Sequence, residues 1–305
     1  MRVKFWGVRG SIPCPGPATV RYGGNTPCLE LRFPDLDNRL IIIDAGSGIR
    51  ELGNFMMAND LGKGAIRTEL FLTHTHWDHI MGFPFFVPIY LPTTSLTVYG
   101  PVSYEGEGLD RVVGGQLTYR YFPVRDAELA AQIKYIDLKE GQRDLGGGIR
   151  LTTKYLNHPI LCLGYRFEFG GKVLCTAYDT EPYRNLFCTD PNDPAYDEAM
   201  AHEGDLVAEE QNGLLEKFFA GADLLIHDTQ YTEAEYHASK LGWGHSSMEH
   251  AVAAASRAGV RRMALFHHDP LRTDDQLDEL ASRYCTPTGS RPEIFFAREG
   301  MEVEL

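Results

Sequence analysis

Two β-sheets packed face to face, with helices against their outer surfaces, are what the order of segments predicts, an α/β (α+β) class. Two observations carry this. The chain has two β-rich halves, each followed by helical stretches, and its chemically richest loop comes directly after an apolar strand pattern. The 305 residues, 43% of them hydrophobic, suffice for a large core, and residues 1–305 read as a single domain with an acidic insertion at about 183–217.

Taken in order, residues 3–8, 28–33 and 40–43 have strand composition, and the last run enters the turn DAGSG. Ser47 is placed to cap a helix reaching to about Asn59, with Gly62 near its end. A further strand is expected at residues 69–73, followed by FPFFVPIYLP, whose prolines rule out a long regular helix and favour irregular walls beside a site. Strands are then expected at residues 96–99, 133–137, 149–155, 165–169 and 172–176. Between Thr189 and Glu216 there are nine Asp and Glu and no Lys or Arg, which reads as a solvated insertion or an acidic helix with no chemistry of its own.

The loop is LFLTHTHWDH, residues 70–79, where an apolar run meets His74, His76, Asp78 and His79. Ionisable groups at a buried strand end are expensive unless they hold something. Histidines at alternate positions converge on one ion, while Asp78 and His79 turn toward a second. Paired catalytic metals lie only about 3.5–4 Å apart, so one compact loop serves both. The expected cofactor is therefore two divalent metal ions, and imidazole with carboxylate suits zinc first, with manganese or iron as alternatives, over calcium or magnesium.

Other ligands are expected at other strand ends, because such a site is assembled from several loops on one rim. IRLTTKYLNHP ends in His158, VLCTAYDTEP in Asp179, and MALFHHDP in His267 and His268. Only one of the last two adjacent side chains can readily reach the metals, and His267 is preferred. His202, His237 and His250 read as surface or helix histidines. Asp44, closing LIIID, reads as a residue that orients a ligand histidine. RYGGNTPC either lends backbone donors to a phosphate or is a glycine turn between strands.

Composition excludes several classes. A net charge of −13 and no basic tract weaken the case for a nucleic-acid polymer. No run of some 18 apolar residues suggests a membrane span, and the first residues lack a signal-peptide pattern. Six cysteines without a C-x-x-C pair read as reduced, mostly buried thiols of a cytoplasmic protein.

With its His-x-His-x-Asp-His at 74–79, the chain resembles the metallo-β-lactamase fold superfamily, which implies a four-layer αββα sandwich. The resemblance assigns His158 to the first metal, Asp179 as the bridging carboxylate and His267 to the second metal, beside His74, His76, Asp78 and His79. LLIHDTQYT at 224–232 and GWGHSS at 242–247 draw it closer to the phosphodiesterase branch that includes tRNase Z and cyclic-nucleotide phosphodiesterases. There, an acidic residue orients a histidine that protonates the leaving oxygen; the matching residues are Asp228, shorter than the Glu usual in tRNase Z, and His245. Ser246 and Glu249 form an S-x-x-E pattern that would open a helix over 246–258 and place His245 just outside its N-terminus.

The implied activity is two-metal hydrolysis of a phosphodiester, with catalysis carried by His245, Asp228 and Asp78. A small substrate such as a cyclic nucleotide comes first, with aromatics among Phe83, Phe85, Phe86, Tyr90, Tyr119 and Tyr121 as either base-stacking or core residues. A phosphoribosyl cyclic phosphodiester, a tRNA 3′-processing endonuclease and a noncatalytic metal-binding module are the alternatives. No membrane partner is expected. The resemblance admits a homodimer, for which no stretch shows an interface.

Overall fold

The computed structural model describes residues 1–102 and 106–305. The first sheet is built from β1 (Arg2–Gly7), β2 (Cys28–Phe33), β3 (Arg39–Ile43), β4 (Arg67–Phe71), β5 (Ser95–Pro101) and β6 (Gln132–Leu138). The second contains β7 (Gly141–Asp144), β8 (Arg150–Leu156), β9 (Cys162–Phe169), β10 (Lys172–Ala177), β11 (Leu224–Asp228), β12 (Arg262–Phe266) and β13 (Glu293–Phe296), after which β14 (Glu302–Glu304) returns to pair with β1. Strand orders are β14-β1-β2-β3-β4-β5-β6 and β13-β12-β11-β10-β9-β8-β7. In each sheet one half is antiparallel, and the other, β3 to β6 or β10 to β13, is parallel.

Strand β3 shows why the sheets stack. Its side chains alternate between faces, and both faces are covered, so it reads as an unbroken apolar run. Ile41 and Ile43 point into the core between the sheets with Phe5, Leu31, Phe71, Leu163, Phe167 and Phe266. Leu40 and Ile42 point outward, under α1 (Ile49–Asn59), the residues 83–91 and α3 (Leu109–Gly114). A third cluster covers the outer face of the second sheet with α4 (Glu198–Phe219), α6 (Met248–Arg257) and α7 (Asp274–Tyr284). The short α2 (Trp77–Ile80) and α5 (Glu233–Ser239) border the rim described below. The result is the expected four-layer sandwich.

From Glu198 onward the acidic segment is an acidic helix, preceded at 189–197 by turns and irregular backbone. Its last turns bury Leu215, Phe218 and Phe219 against the second sheet, while its first half presents the carboxylates to water. Residues 83–90 form two 3-10 turns, as the prolines require. Strand β4 stops at Phe71, short of Thr73, because the Thr73 amide turns aside to donate to Asp44 Oδ1 at 2.7 Å. Ser47 does not cap α1. Its hydroxyl accepts from the Thr26 amide at 3.0 Å and donates to Asn25 Oδ1 at 2.9 Å, so it ties two loops together.

All six cysteines are free; Cys28, Cys162 and Cys175 are buried, Cys14 and Cys188 half-buried and Cys285 exposed. Among the described residues no helix is long and apolar enough to cross a membrane.

Candidate metal centre

The C-terminal ends of β3, β4, β8, β10, β11 and β12 all open on one rim between the sheets, the usual place for ligand chemistry in parallel sheets. Each delivers one group: Asp44 follows β3, the 74–79 loop follows β4, His158 follows β8, Asp179 follows β10, Asp228 ends β11 and His267 follows β12. Asp44, Asp179 and His267 have φ of 61°, 31° and 62°, a left-handed conformation that costs a non-glycine residue energy and recurs where a site fixes the side chain.

Two donor clusters result. His74, His76, His158 and Asp179 form one, and Asp78, His79, Asp179 and His267 the other, with donor atoms of each within 4.8 Å of one another. Asp179 divides its carboxylate between them. Its Oδ2 lies 3.4 Å from His74 Nε2 and 3.8 Å from His158 Nε2, while its Oδ1 lies 3.2 Å from both His79 Nε2 and His267 Nε2. Asp78 Oδ2 completes the second cluster at 3.3 Å from His79 Nε2 and 3.2 Å from His267 Nε2. Every sequence-expected ligand is present in these clusters. His268 is not: its Nε2 donates to the Ala297 carbonyl at 2.8 Å, whereas His267 lies in the second cluster.

Divalent metals suit this donor set. His74 Nε2, His79 Nε2 and Asp179 Oδ1 are buried and have no hydrogen-bond partner, an expensive condition that a cation relieves. Burial pushes the His76 imidazole down to about 4 and that of His158 to about 3, so both are neutral, as metal ligation requires. Burial opposes ionisation of Asp78, but His79 and His267 overcome it and hold the carboxylate well below its usual range. Asp179 behaves alike under the influence of His267, His79 and His74. Burial would lower His79, yet Asp179, Asp78 and Asp44 raise it well above normal. That concentration of negative charge is what a cation neutralises.

A supporting shell orients the donors. Asp44 Oδ2 accepts from His79 Nδ1 at 2.7 Å and from the Thr73 hydroxyl at 2.8 Å, as expected of it. His158 Nδ1 donates to the Gly244 carbonyl at 2.9 Å, which turns Nε2 toward the first cluster. The Ser11 amide donates to Asp78 Oδ2 at 2.8 Å. This N-terminal loop is anchored by buried Arg9, whose guanidinium donates to the carbonyls of Gly23 and Arg272. Gly10 beside it has no room for a side chain, because a β-carbon there would lie 2.5 Å from the His267 ring. Sequence reasoning missed this loop, since nothing local in VRGSIP marks it as touching residues more than sixty positions away.

His245 stands over the second cluster, its ring stacked on His267 with centroids 5.0 Å apart. Its Nδ1 donates to Asp228 Oδ2 at 3.0 Å, which leaves Nε2 to carry a proton for chemistry. Asp228 is locked by the amides of Ser246, Thr180 and Gln230 at 3.2, 3.3 and 3.1 Å. Burial would lower the His245 pKa, but Asp228 outweighs it and lifts it to about 9.

One expectation changes and two open readings narrow. Ser247, not Ser246, caps α6, accepting from the His250 amide at 3.2 Å; Ser246 donates to the Thr180 carbonyl instead, and Glu249 bonds the Glu233 amide and the Tyr284 hydroxyl. RYGGNTPC is a structural turn, its Asn25 and Thr26 amides consumed by Glu299 and Ser47. Of the aromatics, Phe83 and Phe86 are core, Phe85 packs against Phe122, and the Tyr119 hydroxyl bonds Glu128.

Residues 195–268 match a family model described as a β-lactamase superfamily domain. The chain is 29% identical to ribonuclease Z of Lactococcus lactis subsp. lactis over 296 residues, spanning 88% of each chain. In structure it is similar to the metallo-β-lactamase fold protein YhfI of Bacillus subtilis, with a TM-score of 0.64, 19% identity and 99% and 98% of the two chains covered. It is also similar to the short form of human tRNase Z, with a TM-score of 0.60, 20% identity and coverage of 100% and 99%. These structural likenesses concern the fold, and the sandwich with its shared rim agrees with them. Residues 195–268 thus match the β-lactamase superfamily model, the chain has the metallo-β-lactamase fold, and in sequence it is similar to proteins named ribonuclease Z.

Proposed function

We propose that the chain is a dinuclear metal-dependent phosphodiesterase that cleaves an RNA phosphodiester, of the kind for which its ribonuclease Z relatives are named. The observation that carries the phosphodiesterase reading is the His245–Asp228 pair, 3.0 Å apart and stacked over the second donor cluster. A histidine held protonated beside a site for electrophilic metals can deliver a proton to a departing alkoxide. Expectation from charge placed cyclic nucleotides first; the relatives shift the preference to RNA 3′-end processing.

His74, His76, His158 and Asp179 would hold one ion, and Asp78, His79, Asp179 and His267 the other, zinc before manganese or iron. When bound, the pair of ions supplies Lewis-acid stabilisation of charge on the phosphoryl oxygens and activates water. Asp179, shared by both clusters, fixes their spacing, and Asp44 and Gly244 hold His79 and His158 in the productive tautomer. His245 protonates the leaving oxygen from Nε2 while Asp228 stabilises the imidazolium.

A small cyclic phosphodiester is the second reading, favoured by the net charge of −13 and the absence of a basic tract for gripping a polymer. The six free thiols suit a reducing compartment such as the cytoplasm. The test is turnover by zinc- and manganese-loaded protein of precursor tRNA, cyclic nucleotides, cyclic dinucleotides and a phosphoribosyl cyclic phosphate. RNA cleavage at the 3′ end, lost in His245→Ala, is expected; activity confined to small cyclic esters would replace the first reading with the second.

A further inference from the structure

The chain has three tryptophans, and two of them face water beside the metal centre. Trp6 packs against Phe55 and donates to Glu30. Trp77 is 80% exposed and Trp243 56% exposed. Tryptophan is the largest apolar side chain and is highly buried on average, so exposing two at one site needs a reason. Trp77 lies between His76 and Asp78, and Trp243 comes two residues before His245.

Both segments close on the same side chain. His158 Nε2 is 3.0 Å from His76 Nδ1, and His158 Nδ1 donates to the Gly244 carbonyl at 2.9 Å. The two tryptophans therefore rise from loops clamped on either side of His158. The Trp243 loop is not slack. The buried Glu181 carboxylate accepts from the Gly242 and Gly244 amides at 2.7 and 2.9 Å and from the Tyr236 hydroxyl at 2.7 Å, which fixes the backbone on both sides of the indole. The Lys240 ammonium sits 4.0 Å from the Trp243 ring centroid, adding a positive charge at that surface. Next to it opens a cavity of about 330 Å³ whose lining includes His158, Pro159, Glu181, Arg184, Gly242 and Gly244. A rigid loop that turns its largest apolar side chain to solvent, with a lysine ammonium on its ring and a ligand-sized cavity beside it, is built to receive a flat partner.

We infer that Trp77 and Trp243 are stacking surfaces for the nucleobases flanking the scissile phosphodiester, so that the site selects nucleotide-containing diesters over bare sugar phosphates. The inference rests on the phosphodiesterase reading of the same site. Glu181 is the positioning residue for Trp243.

The test uses metal-loaded protein with thymidine 5′-(p-nitrophenyl phosphate) and methyl p-nitrophenyl phosphate, which share a leaving group and differ in the nucleoside. Trp77→Ala and Trp243→Ala are each expected to raise KM for the nucleoside ester about tenfold more than for the methyl ester, with most of the difference restored by Phe. Quenching of tryptophan fluorescence by adenosine 5′-monophosphate reads the same surfaces without turnover, and its apparent Kd should rise about tenfold in either variant. Equal KM effects on both esters with an unchanged quenching Kd would overturn the stacking role and leave the phosphodiesterase reading standing. No turnover of either ester, with quenching intact, would remove that reading and keep the stacking surfaces. Variants that dissociate an oligomer in sedimentation while KM stays put would assign the tryptophans to an interface and overturn the inference.

Discussion

Asp44 Oδ2 accepts a hydrogen bond from His79 Nδ1 at 2.7 Å, and both side chains are completely buried. The bond fixes the imidazole so that Nε2 faces Asp78 and Asp179, and it raises the basicity of the nitrogen offered to a metal. Asp44→Asn keeps the shape but removes the charge. It is expected to lower metal affinity at the second cluster by about 10–100-fold while leaving the first nearly intact, as measured by competition with a chromophoric chelator.

His245 should act as the acid that protonates the leaving group. His245→Ala is expected to reduce kcat by about 10²–10⁴-fold with a smaller change in KM. Because Asp228 lifts the His245 pKa to about 9, the protonated form persists through neutral pH and is lost as pH rises through about 9. The kcat profile should fall on that alkaline side. Asp228→Asn removes the charge that raises the pKa, so the falling limb should move toward the ordinary histidine value of about 6.5. A limb that stays in place in Asp228→Asn would assign it to another group.

How much of this was legible depends on how local each signal is. The loop of His74, His76, Asp78 and His79 declared itself because four donors within six residues follow a strand, and β2 was bounded correctly because Leu29, Leu31 and Phe33 alternate with Glu30 and Arg32 between Pro27 and Pro34. His158, Asp179 and His267 were legible only as strand ends, and it is the sandwich that brings them together. Ser246 and Ser247 are neighbours with the same hydroxyl, so spacing alone could not tell which caps α6; the outcome was decided by the Thr180 carbonyl, which claims Ser246. Glu181, Gly10 and the Ser11 amide carry no local signature, because each acts on a residue far along the chain.

Two glycines next to ligands offer a separate handle on each cluster. A β-carbon on Gly10 would stand 2.5 Å from the His267 ring, and one on Gly244, which also has φ +81°, would stand 2.4 Å from His158 Nδ1. Neither ring can retreat without leaving its donor cluster. Gly10→Ala should therefore weaken the second cluster and Gly244→Ala the first, each by about tenfold or more, in cobalt titrations followed by ligand-field absorption. Identical losses at both clusters would point to a general folding defect.

His250 provides a prediction about stability that is independent of catalysis. On α6, it lies near His227, Arg257, Glu233 and Glu216; burial first, then the proximity of His227 and Arg257, pushes its pKa down to about 4. The folded chain therefore keeps His250 neutral over a range in which the unfolded chain, near the ordinary value of about 6.5, has already taken up a proton. Above that value neither state binds the proton and the residue makes no pH-dependent contribution. As pH falls from about 6.5 toward 4 the unfolded state gains protons first, so stability drains across that window, by up to about 1 kcal/mol per pH unit after allowance for partial solvent contact. His250→Gln, which cannot titrate, should flatten the pH dependence of the urea midpoint between those limits. A slope equal to that of the wild type would show that the loss of stability on acidification comes from other groups.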